Sequence, residues 1–195
     1  MKRLVYSLLL LFMLSLMVFP PAVYASDPTY TPYDYLDEQE KTYVTSMRSW
    51  ITVTKTRIET AKTDLQTFFL QDYKTWYAGF LGELDAVNQG IGEIKKISAP
   101  GSFSDVAQQC QGLSGISVEF AVMVLDPYIA PVDLSSSAQA IAGMDGRLTA
   151  IVKSLNKIWS SLDKRTDEIA KAEKIGEEAI GKMLESCEFR PIFPY

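Results

Sequence analysis

The stretch 44-VTSMRSWITVTKTRIETAKTDLQTF-68 decides the fold. Val44, Met47, Ile51, Thr54, Ile58, Ala61, Leu65 and Phe68 or Phe69 recur every three or four positions, the spacing that gathers side chains on one face of an α-helix. Such a stripe must be buried against a partner, so the rest of the chain has to supply further helices. Asp34, followed three residues later by Asp37, is the expected cap.

Working outward, the same phase runs through Tyr73, Trp76, Phe80, Val87, Ile91 and Ile94 to Ile97, and Ala99-Pro100-Gly101 stops it. Ser102 with Asp105 is a capping pair for a third helix carrying Phe103, Val106, Cys110, Leu113, Ile116 or Ser117, Phe120 and Val124, which ends at Asp126-Pro127. A last helical pattern begins near Asp133 and holds Ile141, Met144, Leu148, Ile151, Leu155, Ile158, Leu162 and Ile169. It weakens over Lys171 to Gly176, and a final amphipathic piece contains Ile180, Met183 and Leu184. No alternating Val/Ile/Thr run flanked by a hairpin dipeptide is present, so the fold class is all-α.

The periodicity permits two architectures. If residues 36–97 were one helix, three long helices would result, and the last would climb past the others with its apolar stripe bare, an unfavourable arrangement in water. A break near Gln71-Asp72, where Asp72 can cap, instead gives an up-down-up-down four-helix bundle over residues 36–186, with a tail at 187–195. The second is the expected topology.

Residues 1–25 read as a signal peptide. Lys2 and Arg3 are followed by the apolar run Leu4 to Phe19, then Pro20-Pro21, with Val23 and Ala25 at the positions signal peptidase reads. The run is shorter than the ~20 residues of a membrane-spanning helix, which favours cleavage; an uncleaved segment would be the chain's membrane contact. Residues 26–35, rich in Pro and Tyr, form an expected extended lead-in. The expected location is therefore secreted or at the cell envelope.

Composition narrows function by exclusion. The chain has no histidine, so Ser-His-Asp and Cys-His sites, His-containing zinc sites and the Glu-x-x-His di-iron motif cannot be built. The formal charge of −5 becomes −5 − 2 = −7 once Lys2 and Arg3 are removed, which disfavours nucleic acid as a partner. Acidic pairs such as Asp167-Glu168 and Glu177-Glu178 stand among lysines and read as solvated helix faces. No catalytic residue, cofactor or metal ligand is assigned. The reading is a non-enzymatic protein acting by interaction with an unknown protein or envelope component; the alternative is a carrier or sensor for a small apolar or aromatic ligand held inside the bundle.

That alternative rests on Trp76, Tyr77 and Phe80, rings at helical spacing that either line a pocket or fill the core. Gly79, Gly82, Gly143 and Gly146 mark faces where helices are expected to approach closely; the alternative is a groove whose space a ligand could occupy. Trp159 is expected to pack between the first and last helices. Cys110 and Cys187 are an even pair in a disulfide-permitting compartment, and each also sits where a small buried hydrophobe would; bridging them requires the last helix to break near Gly176 or Gly181 and fold back. Trp76-Tyr77-Ala78-Gly79 resembles the Trp-x-Gly turn of small secreted helical-hairpin proteins. It departs from it by one extra residue before the glycine and by the signal peptide, so no family is assigned.

If the export reading holds, the protein recovered from the envelope or medium begins at Ser26. N-terminal sequencing that returns Met1 from a membrane fraction would replace cleavage by an anchor.

Overall fold

A computed structural model describes residues 31–67, 73–116 and 134–187, and these are all-α, with four helices and no strand among them. Helix α1 spans Glu38–Gln66 and starts at a capping box: the Glu40 N–H donates to Asp37 Oδ1 at 2.8 Å and the Asp37 N–H donates to Glu40 Oε2 at 3.0 Å. The cap is therefore Asp37 with Glu40, not the expected Asp34 with Asp37. Asp34 lies instead in a 3-10 turn, Pro32–Tyr35, where an extended lead-in was expected. That turn is held down because the Tyr33 hydroxyl reaches the Lys41 carbonyl at 3.3 Å and Thr45 Oγ1 at 2.9 Å. Val44, Met47, Ile51, Thr54, Ile58, Ala61 and Leu65 are all buried, as their spacing requires.

Helix α2, Tyr73–Lys96, returns antiparallel to α1, which rules out a single helix over residues 36–97. Three contacts fix the pairing. Trp76 Nε1 donates to the Asp64 carbonyl at 2.6 Å, Arg57 Nη1 pairs with Glu83 at 3.2 Å, and Gly90 sits directly on Thr54. At the end of α1 the Thr67 N–H is shared between the Thr63 and Asp64 carbonyls. The expected break point, Gln71-Asp72, lies outside the described residues.

The third expected helix is cut short. A 3-10 turn, Gly101–Phe103, leads into α3, Ser104–Gln111, only eight residues long. Gly112, Ser114 and Gly115 are weak helix formers, and Asn88 of α2 takes over the backbone bonding: its Nδ2 donates to the Ile116 carbonyl at 2.9 Å and its Oδ1 accepts the Ile116 N–H at 2.8 Å. Leu113 and Ile116 are still buried, but as irregular chain. The remainder of that expected helix, with Phe120, Val124 and the Asp126-Pro127 stop, falls outside the described residues. Ser102 and Asp105 do not cap α3, whose N-cap is Phe103 without a side-chain bond. Ser102 Oγ donates to Glu40 Oε1 at 2.6 Å, and its carbonyl accepts Arg165 Nε.

Helix α4 runs Leu134–Ser186, 53 residues or roughly 80 Å at 1.5 Å per residue. It lies antiparallel to α1, with Arg48 on Asp163 at 2.8 Å, Lys55 on Asn156 at 2.9 Å and Lys62 on Thr149 at 3.0 Å. Met144, Leu148, Ile151, Leu155, Ile158, Leu162, Thr166 and Ala170 face the core. Burial ends where the apolar pattern weakens over 171–176, but the helix itself continues, and neither Gly176 nor Gly181 breaks it. With no proline after Leu134 until Pro191, two exposed glycines cost about 1 kcal/mol each against Ala and leave the hydrogen-bond ladder intact.

The close-packing expectation for glycine is corrected too: among the described residues nothing lies within 4 Å of a Cβ added at Gly79, Gly82, Gly143 or Gly146, and the intimate contacts are at Gly90, against Thr54, and at Gly115, against Asn88. Gly82→Ala should therefore raise stability by roughly 0.5–1 kcal/mol, while Gly90→Ala should lower it by about 1–3 kcal/mol, because the added methyl collides with the fully buried Thr54. Urea unfolding of the two variants checks the opposite signs.

Candidate interaction surface

Trp76 and Phe80 are buried and stacked, ring centroids 5.1 Å apart and 11° from parallel. Tyr77 is half-buried against the same cluster. Trp76 and Phe80 are thus members of the packed core among the described residues. What the sequence offered as a pocket wall is core, because helical spacing places rings on the buried face whether or not a void is left between them.

A shallow groove of about 570 Å³ lies instead between α1 and α4, where Thr52, Lys55, Thr56 and Glu59 face Asn156 and Trp159. Trp159 is half-buried, at the level of α1 anticipated for it, and it packs on the core with the Arg48 guanidinium 5.7 Å from its ring centre. Lys55 and Asn156 satisfy each other across the groove, and the Thr56 hydroxyl donates to the Thr52 carbonyl of its own helix. This wall is occupied with its own bonding.

The two cysteines are unpaired and in opposite environments. Cys110 is buried in α3, and Cys187 is exposed just past α4, where its N–H closes the last turn on the Met183 and Leu184 carbonyls. The fold-back that a bridge needs is absent because α4 continues straight through Gly176 and Gly181. Burial pushes the Cys110 thiol up to about 11 from its ordinary 9.0. Tyr43, whose ring packs 5.3 Å from Phe103, is raised as well, chiefly by burial and then by Cys110 and Asp105.

The surface that sequence reasoning undervalued is the lower end of α4. Ala170 is its last buried residue, and every residue from 171 to 187 is exposed. Ile175, Ile180, Met183 and Leu184 are 59–68% exposed, so the helix projects about 25 Å beyond its last core contact with an apolar face uncovered. Covering a large aliphatic side chain is worth roughly 1.5–3 kcal/mol, so four left in water on one short stretch is a costly arrangement for an isolated chain. The signal was present as the amphipathic piece Ile180, Met183, Leu184, but sequence alone did not say that the bundle ends above it. Among the described residues no helix is long and apolar enough to cross a membrane, and no group of three or more Cys, Asp or Glu is placed to hold a metal ion. No family model, curated protein or solved structure matches this chain.

The thiol and phenol give a pH dependence of known sign. Both ionise at higher pH in the fold than in the unfolded chain, so the thiol's contribution is complete below pH 9 and is lost as pH rises toward 11, while the phenol's is complete below pH 10 and is lost at still higher pH. The urea midpoint should be level up to about pH 8.5 and fall above it. Over the level range, iodoacetamide should label Cys187 quickly and Cys110 only on unfolding.

Proposed function

We propose that this chain is an exported, non-enzymatic helical-bundle protein that acts by interaction at the cell envelope or outside the cell, through the projecting end of α4. The observation that carries the reading is the continuous exposed stretch 171–187, with Ile175, Ile180, Met183 and Leu184 uncovered on a helix whose upper part is anchored in the core. The N-terminal apolar run with its Ala25 site supports export, and the lack of histidine removes the commonest hydrolytic and metal chemistries from consideration. The carrier reading has less support, since Trp76 and Phe80 stack on each other within the core.

A photo-reactive phenylalanine analogue placed at Met183 in intact producing cells should give a covalent adduct. The same group at Ser154, exposed on the bundle wall, should give none. Equal labelling at the two positions, or no adduct at Met183, would overturn the interaction surface, and recovery of the protein only in the cytoplasmic fraction would overturn export.

A further inference from the structure

Resting on that reading, we infer that the partner of the α4 extension is a second copy of this chain, docked antiparallel over residues 171–187. The face is laid out for it. At about 100° per residue, Gly176, Ile180, Met183 and Leu184 lie in phase with the core residues Leu155, Ile158 and Leu162 above them, with Ala172 and Ala179 beside them and Ile175 at the far edge of the same apolar side. The seam that packs on α1 within the bundle thus continues below it without a partner.

Side-chain volume selects the orientation. Apart from Ile175 at its edge, the upper half of the stripe holds the small residues Ala172, Gly176 and Ala179, while the large Ile180, Met183 and Leu184 occupy the lower half. An antiparallel pair centred between Ala179 and Ile180 sets Met183 against the second copy's Gly176, Ile180 against its Ala179, and Leu184 against its Ile175. Large meets small at two of these three levels, and the helices can stay evenly spaced. A parallel pair would put glycine on glycine at one level and methionine on methionine two turns below, forcing the helices to splay.

Charge and area agree with a second copy. The stretch carries Lys171, Lys174 and Lys182 against Glu173, Glu177, Glu178 and Glu185, so its net charge is 3 − 4 = −1. Two such helices repel little, whereas an anionic lipid surface, which a basic polar face would seek, is not attracted. The overlap would bury on the order of 1,000 Å² in total, the lower limit for a specific interface, so the dimer is weak and concentration-dependent. In that register the two bundles lie at the outer ends of the paired extensions.

Sedimentation of the purified chain from about 10 to 500 μM should show reversible dimerisation, as expected for a small interface. Ile180→Glu combined with Met183→Glu should remove it, with helix content and melting midpoint unchanged because both side chains are exposed in the single chain. A monomer throughout this range overturns the second copy, as does a dimer that survives the double variant. Orientation is read with Ala172→Cys under oxidised glutathione, which accepts the two electrons as the thiols join. The antiparallel pair brings the introduced thiol beside Cys187 of the other copy and yields a covalent dimer, whereas the unsubstituted chain, its two Cys187 thiols about 22 Å apart along the axis, yields none. A covalent dimer from the unsubstituted chain overturns the antiparallel arrangement. A monomer whose Met183 analogue joins a different protein overturns only the second copy, and a monomer with no adduct overturns the interaction surface as well.

Discussion

The length of α4 is the constraint on which the rest of the structure depends. At 53 residues it is nearly twice the 29 of α1, against which it packs, so α1 can cover only part of its seam. Within the shared length the register is set by polar pairs at even intervals, Arg48 with Asp163, Lys55 with Asn156 and Lys62 with Thr149. These pairs are largely exposed and worth little individually; the stabilisation comes from Met47, Ile51 and Ile58 meeting Leu148, Leu155 and Leu162 inside. The pairs decide which turn faces which.

The floor of the bundle is closed by a polar clasp, and it is here that the core comes to an end. Glu40 is nearly buried, yet both carboxylate oxygens are used, one by its own capping box and the other by the Ser102 hydroxyl from the turn after α2. Arg165 of α4 joins the same turn through the Ser102 carbonyl and also holds Glu168 at 3.0 Å. A buried carboxylate is tolerated only when its lone pairs are satisfied, so removing Ser102 would harm α1 as much as the turn it belongs to. One arrangement links the start of α1, the α2–α3 connection and α4, and five residues below Arg165, after Ala170, burial ends.

The distribution of apolar surface follows from these two facts. Inside, Trp76 and Phe80 of α2 stack on each other within the core, and Trp76 hydrogen-bonds to α1. Below the floor, a stripe of the same phase finds nothing in the described chain to lie against. An ordered amphipathic helix left uncovered beyond the core is an exposed apolar surface that water disfavours.

The sequence by itself determined the helical class, the buried faces of α1, α2 and α4, and the stop at Ala99-Pro100-Gly101, because periodicity and proline act locally. Only the tertiary structure decided three other matters. Helix three ends at Gln111, although its apolar spacing continues, because Asn88 from another helix offers the Ile116 backbone a better set of hydrogen bonds. Ser102 leaves its capping role because the Glu40 carboxylate, sixty-two positions away in sequence, competes for its hydroxyl. Cys110 and Cys187 stay apart, and residues 171–187 stay exposed, because the glycines that local propensity marks as weak points are outweighed by the uninterrupted hydrogen-bond ladder on either side of them. Each of these outcomes depends on which distant residues become neighbours, and spacing along the chain does not encode that.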